Sequence, residues 1–280
     1  MVGGGQLLDR VLKHLVEHHN FQGSPSELPY WLFLGAGNLY LLDLLATLAF
    51  AVTGAYAILE YRRNSQEKLD LLGVLFVGGI CTAIGGGTTR CIIASQTPFV
   101  IVCPEYLIGA IIGGLLVVFL PKWVERWFSF WIALDAIGVG VFAAIGAKTA
   151  YSLNFGVHNA VFFATLTAAG GGCIRDIISR RLPGAFSCGF YAMSAVIAGI
   201  VYVLCSQLTD LSQLSVMYAT SIAGFVVRMG THLFDIHLPF VDAEGKLRWP
   251  ERKPLISLRP VHRWMAGFTR VLQSTLRLFL

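Results

Sequence analysis

One pattern constrains this chain more than any other, and it occurs twice. Gly85-Gly86-Gly87-Thr88-Thr89-Arg90 lies inside one long apolar segment, and Gly170-Gly171-Gly172-Cys173-Ile174-Arg175 lies inside another. The offset is 85 residues (Gly85 to Gly170), and a proline follows each arginine at the same distance, Pro98 and Pro183. Each glycine costs a helix interior about 1 kcal/mol against alanine, and an arginine within a membrane is costly and normally faces the bundle interior or an aqueous path. A chain that combines the two, twice, is more than a passive anchor.

The apolar segments are membrane spans. Of 280 residues 55% are hydrophobic and only 13% charged, where soluble domains carry roughly a quarter charged; mean hydropathy is +0.67. Runs near the ~20 residues that a spanning helix needs predict seven helices, at 39–60, 70–93, 104–121, 130–152, 157–180, 184–206 and 214–234. The fold class is an all-α polytopic membrane protein. Seven spans place Arg62, Arg63 and Lys68, then Lys122 and Arg126, then Arg180 and Arg181, on one side together with a basic C-terminal tail. The loops after the second and sixth spans contain no Lys or Arg. Basic flanks favour the cytosol, so the N-terminus is expected outside and the C-terminus in the cytosol.

The repeat extends beyond the glycines. Asp43 and Asp135 open the first and fourth spans; Phe50 and Phe142, then Gly54-Ala55 and Gly146-Ala147, follow at matched distances, with an offset of 92 residues (Asp43 to Asp135). Residues 39–121 and 130–206 are therefore read as two copies of a three-helix unit, with the seventh helix, 214–234, outside the duplication. Because three is odd, the copies insert with opposite topology. Such an inverted repeat recurs in transporters that bind at the repeat interface.

Two terminal segments flank this unit. Residues 1–38 contain Leu7, Leu8, Val11, Leu12, Leu15 and Val16 at helical spacing and the aromatic run Tyr30-Trp31-Leu32-Phe33, an amphipathic and interfacial segment rather than a signal peptide. Residues 240–280 form a basic tail in which Val261, Trp264, Met265, Phe268, Val271, Leu272 and Leu276 make an apolar stripe edged by Arg259, Arg263 and Arg270. A helix of that kind lies on anionic lipid or packs on the protein's own cytosolic face, and the first reading is favoured.

Two readings of the triplets stand. Gly85, Gly86, Gly87 and Gly170, Gly171, Gly172 kink or unwind their helices, which in lipid requires a protein-lined or wet cavity, or they let helices approach closely. The arginine one turn on, Arg90 or Arg175, favours the first. Both arginines line a path or snorkel to the interface. Arg175 is followed by Asp176, whereas Arg90 is followed by Cys91. Neighbours on a helix do not readily face each other, so Asp43 and Asp135 are the favoured partners of Arg175, unless they serve as first-turn carboxylates; as gates on a path, the arginines would pair with Asp43, Asp135 or Asp176. Lys148 snorkels outward or lines a vestibule. Arg228 and His232 suit the C-terminus of the seventh helix. The six cysteines read as packing residues, with no C-x-x-C pair, disulfide framework or metal site. No catalytic motif is present and the glycine-rich stretches follow no strand, so no enzyme, cofactor or nucleic-acid partner is expected.

The duplicated Asp…Phe…Gly-Ala unit followed by Gly-Gly-Gly-x-x-Arg resembles the prokaryotic relatives of trimeric intracellular cation (TRIC) channels, a family also described by paired glycine-transporter domains. The resemblance covers roughly residues 40–235. It implies a homotrimer of seven-helix protomers, each with its own pore and with kinked helices 2 and 5, conducting monovalent cations, chiefly potassium, in a bacterial plasma membrane. Members commonly have Arg-Asp after each triplet, and Arg90-Cys91 departs from that. The implied partners are potassium or sodium ions, anionic lipids and further copies of the chain. The alternative reading is a secondary transporter of a small zwitterion such as glycine, whose carboxylate Arg90 or Arg175 would hold. A lipid-binding or scaffold protein is a third reading, tied to lipid-facing arginines.

Overall fold

Seven long helices follow one another in the computed structural model, which describes residues 37–65, 70–187, 190–241 and 245–249. They are α1 (Gly37–Ser65), α2 (Gly73–Ile93), α3 (Glu105–Phe119), α4 (Phe128–Ser152), α5 (Val157–Ile178), α6 (Tyr191–Leu208) and α7 (Gln213–Leu233). Each falls on one predicted span. The expected N-terminal segment before Gly37 and the tail with Arg259, Arg263 and Arg270 lie outside the described residues. Helices α1, α2, α4, α5 and α6 are long and apolar enough to cross a bilayer, with mean hydropathy between 1.3 and 2.0. Helix α3 is apolar but has only 15 residues. Helix α7 is long enough at 21 residues and is set apart by Ser215, Thr220, Ser221, Arg228 and His232. Beyond it, Phe240–Val241 and Leu247–Arg248 pair as a short antiparallel ribbon.

The helices associate through small residues, as membrane helices must when lipid removes most of the hydrophobic drive. Helix α4 is buried along most of Asp135–Ala150, a stretch rich in Gly and Ala, and packs against α5, α7, α1 and α6. Helix α7 adds a partner to the second copy that the first copy lacks among the described residues.

The duplication is visible in the packing. Helices α1 and α4 run antiparallel: Tyr56 stacks near Phe128 at 4.5 Å between ring centroids, and Phe50 meets Phe142 at 4.7 Å. A Cβ on Gly54 would strike the Gly78 carbonyl and the Thr82 side chain; one on Gly146 would strike the Phe163 carbonyl and the Thr167 side chain. Gly78 and Phe163, like Thr82 and Thr167, are one repeat apart. The ends of α2 and α5 match too. Ser95 and Arg180 adopt φ of 54° each, and the next amide donates back to the helix, Gln96 N–H to Cys91 O and Arg181 N–H to Asp176 O, both at 2.8 Å. This left-handed stop satisfies the last carbonyls.

The glycine triplets do not unwind their helices. Both lie in continuous α-helix, Thr82–Ile93 and Val157–Ile178. The irregularity in α2 comes earlier: Gly73–Cys81 is wound as a π-helix. The reason for the triplets is contact. A Cβ on Gly86 would strike the Thr167 carbonyl, and one on Gly171 the Thr82 carbonyl. A Cβ on Gly85 would sit 3.4 Å from Gly171 Cα, and one on Gly170 3.3 Å from Gly86 Cα. The two triplets are each other's packing surface, and α2 and α5 cross backbone to backbone on the pseudo-twofold axis.

Candidate functional site

Two clusters of buried polar side chains flank this crossing, at opposite ends of the bundle. The first gathers the start of α1, the end of α2 and the start of α3. Asp43 and Arg90 are each 2% exposed, so Arg90 does not snorkel. Both line a narrow cavity of about 10 Å³ with Thr47, Ala83, Gly87, Phe99, Phe142 and Thr167. That is close to the smallest space that holds one water.

The surrounding groups fix those two charges. Tyr106 O–H donates to Asp43 Oδ2 at 2.5 Å, and Tyr40 O–H donates to Glu105 Oε1. Phe99, in the short helix Phe99–Val102 after Pro98, lies over Gly87, edge-on to Tyr106 at 4.8 Å and 5.9 Å from the Arg90 guanidinium carbon. Any side chain at position 87 would meet that ring, which is why Gly87 completes the motif. Cys103 is buried beside Glu105; burial first and that carboxylate second push its thiol up to about 12.

The second cluster gathers the start of α4, the end of α5 and the start of α6. Here the expectation for Arg175 is corrected. Its Nε binds the neighbouring Asp176 Oδ1 at 2.8 Å. The long side chain folds back over a carboxylate that is itself 2% exposed and that also accepts the Gly184 N–H at 2.8 Å. Asp135 is buried and accepts from Thr53 Oγ1 at 3.0 Å, within the electrostatic reach of Arg228 and Arg175. Arg228 lies on the Tyr191 ring at 4.5 Å.

The clusters are related by the repeat and have diverged. Tyr106 and Tyr191 are one repeat apart, as are Phe99 and Gly184, and Cys91 and Asp176. The tyrosines were legible from the 85-residue offset (Tyr106 to Tyr191), although their apolar flanks hid them among ordinary span residues. Lys148 is buried in α4 and does not line the cavity. Its repeat counterpart, Tyr56, stacks on Phe128 instead. The first cluster carries two carboxylates, Asp43 and Glu105, against Arg90. The second balances Asp135 and Asp176 with Arg175 and Arg228.

Replacing Tyr106 by phenylalanine removes one donor from the buried Asp43 carboxylate. A hydrogen bond to a charged group is worth about 1.5–3 kcal/mol, so thermal unfolding of the Tyr106→Phe protein in detergent is expected several degrees below the parent. An unchanged midpoint would contradict the role given to that hydroxyl.

Comparison with known proteins supplies the last observations. Residues 40–122 and 132–207 match the family described as Glycine transporter, and each matched segment contains one triplet. The chain is 35% identical over 222 residues to a UPF0126 membrane protein of Deinococcus radiodurans, covering 78% of this chain and 94% of that protein. It is 33% identical over 167 residues to the UPF0126 inner membrane protein YadS of Escherichia coli K12, covering 58% and 76%. Among solved structures it matches a chain from work on the structural basis for conductance through TRIC cation channels, with TM-score 0.68 and 30% identity over 74% of this chain and 98% of that chain. It shares its fold with a TRIC trimeric intracellular cation channel orthologue from Rhodobacter sphaeroides, with TM-score 0.61, 24% identity, and coverage of 72% and 100%.

Proposed function

The chain belongs to the glycine-transporter family of UPF0126 multi-pass membrane proteins, and on that premise we propose that it is a cation channel, assembled as a homotrimer, with one path inside each protomer between α1, α2, α4 and α5. The observation that carries the proposal is the cavity beside the α2–α5 crossing, where a buried carboxylate and a buried arginine, Asp43 and Arg90, share one water-sized space. The structural neighbours' description as cation channels supports it.

The chemistry is consistent with cations. Asp43 and Glu105 outnumber Arg90 at one mouth, and a cleft lined by one sign of charge concentrates the opposite ion. The arginines are closures: while Arg90 occupies the cavity, its charge and bulk oppose a cation, and its displacement leaves Asp43 facing the path. No ring of filter carbonyls of the potassium-channel type is encoded in the sequence, so selectivity among potassium and sodium is modest. Lys and Arg in the loops after α1, α3 and α5 favour a cytosolic C-terminus, and the plasma membrane is the proposed host.

The family's description as a glycine transporter favours one second reading, carriage of a small zwitterion. Carriers of that kind hold such ligands at the free amide and carbonyl ends of broken helices, whereas both triplets lie in unbroken helix. Recordings of purified protein in planar bilayers separate the two. Unitary potassium currents are expected; saturable uptake of labelled glycine into proteoliposomes without any unitary current would replace the channel by the carrier.

A further inference from the structure

A separate cleft of about 210 Å³ opens where α7 ends and α6 begins, lined by Arg228, Thr231, His232, Asp235, Ile236 and His237 together with Phe190. The path described above does not use it. It lies at the end of the bundle that bears Arg180 and Arg181 in the loop before α6. Arg228 and His232 are one turn apart on α7, so both project to the same side. Asp235, the one carboxylate in the lining, is engaged by His237 Nε2 at 3.0 Å. The Thr231 hydroxyl is turned back to the Arg228 carbonyl at 3.1 Å.

Arg228 is the notable group. Its guanidinium lies on the Tyr191 ring at 4.5 Å, and its Nε is buried with no hydrogen-bond partner among the described residues. A guanidinium offers five donors in a fixed fork that suits phosphate, and a buried donor left without an acceptor is costly. The cleft presents that fork with two imidazoles beside it, and Asp235 is the only group in the lining that opposes an anion. The partial negative charge at the carbonyl end of α7 is offset by the guanidinium.

We infer that this cleft is a binding site for a phosphate group, as inorganic phosphate or as the monoester head of a membrane lipid, held by Arg228 with His232 and His237. One consequence rests on the cation-path reading. Arg228 is also a cation whose field reaches Asp135, so a bound phosphate draws positive charge away from the second cluster and couples cleft occupancy to that mouth.

Binding is measured first and without flux, so its failure is distinct from a failure of the channel reading. Full-length protein purified in phosphate-free buffer is titrated calorimetrically with inorganic phosphate. In parallel, its thermal unfolding is followed in phosphatidylcholine nanodiscs with and without phosphatidic acid. Arg228→Gln is expected to weaken binding roughly tenfold or more, the equivalent of about 1.4 kcal/mol. The substitution His232→Gln, at an exposed position, is expected to weaken it by less and keeps the test valid if the arginine variant does not fold. Heat with inorganic phosphate, reduced in both variants, identifies a soluble ligand. Stabilisation by phosphatidic acid alone, lost in both variants, identifies a lipid. No response to either phosphate source, or a response that neither substitution changes, overturns the site.

Discussion

Gly171→Ala is expected to lower the thermal unfolding midpoint sharply, whereas Gly172→Ala, one residue on, is expected to raise it. The new methyl at position 171 would strike the Thr82 carbonyl and sit 3.0 Å from the Cys81 carbonyl. Both are backbone atoms of α2 and cannot rotate away, so the helices must separate along their closest line of contact. Overpacking of this kind costs about 1–3 kcal/mol, and the loss of dense packing at the α2–α5 crossing adds to it. At position 172 the nearest atom is Arg175 Nη2, 3.8 Å away and at the end of a flexible side chain. There the helix gains about 1 kcal/mol in propensity from alanine. Two neighbouring glycines of one motif thus have opposite signs. If the triplets served as unwound hinges instead, both substitutions would stiffen the hinge and shift stability in the same direction.

Arg90→Ala is expected to raise potassium conductance about tenfold or more, the factor that corresponds to removing roughly 1.4 kcal/mol of barrier. The side chain is 2% exposed and shares a cavity of about 10 Å³ with Asp43, so its removal enlarges a space that barely admits one water. The change also takes away the positive charge and leaves a carboxylate facing the path. Macroscopic currents in bilayers at matched protein density measure the effect. Arg175→Ala is expected to act more weakly. Its guanidinium is held to Asp176 at 2.8 Å and, unlike that of Arg90, does not line the narrow cavity. Equal effects at the two arginines would mean that the clusters have not diverged in function.

Much of this was legible in the residues. All seven helices stand where apolar run lengths put them, and the antiparallel contact of Phe50 with Phe142 follows from the inverted order of two matched units. The triplets show where sequence reasoning stops. Helix propensity alone makes three glycines a break, but propensity is local, and a facing backbone that fits only glycine outweighs it. That facing backbone belongs to the other copy, 85 residues away (Gly85 to Gly170), and spacing within one helix cannot reveal it. The pairing of Arg175 with Asp176 was hidden for a related reason. Adjacent Cβ atoms diverge on a helix, yet a guanidinium on a long stem can curl back when the neighbouring carboxylate is buried and already anchored by the Gly184 amide. The π-wound stretch Gly73–Cys81 has no clear sequence sign. We have no physical account of why that winding, rather than α, is chosen there.

The proposed path can be probed from α1 and α5. In protein whose six cysteines are replaced, Thr47→Cys and Thr167→Cys each place a thiol in the cavity that holds Asp43 and Arg90. Ile108→Cys places one on the exposed face of α3. With unitary potassium currents recorded in a bilayer, a small cationic thiol reagent applied to open channels is expected to block Thr47→Cys and Thr167→Cys and to leave Ile108→Cys unchanged. Currents that persist through complete labelling of both cavity positions would contradict a cation path between α1, α2, α4 and α5.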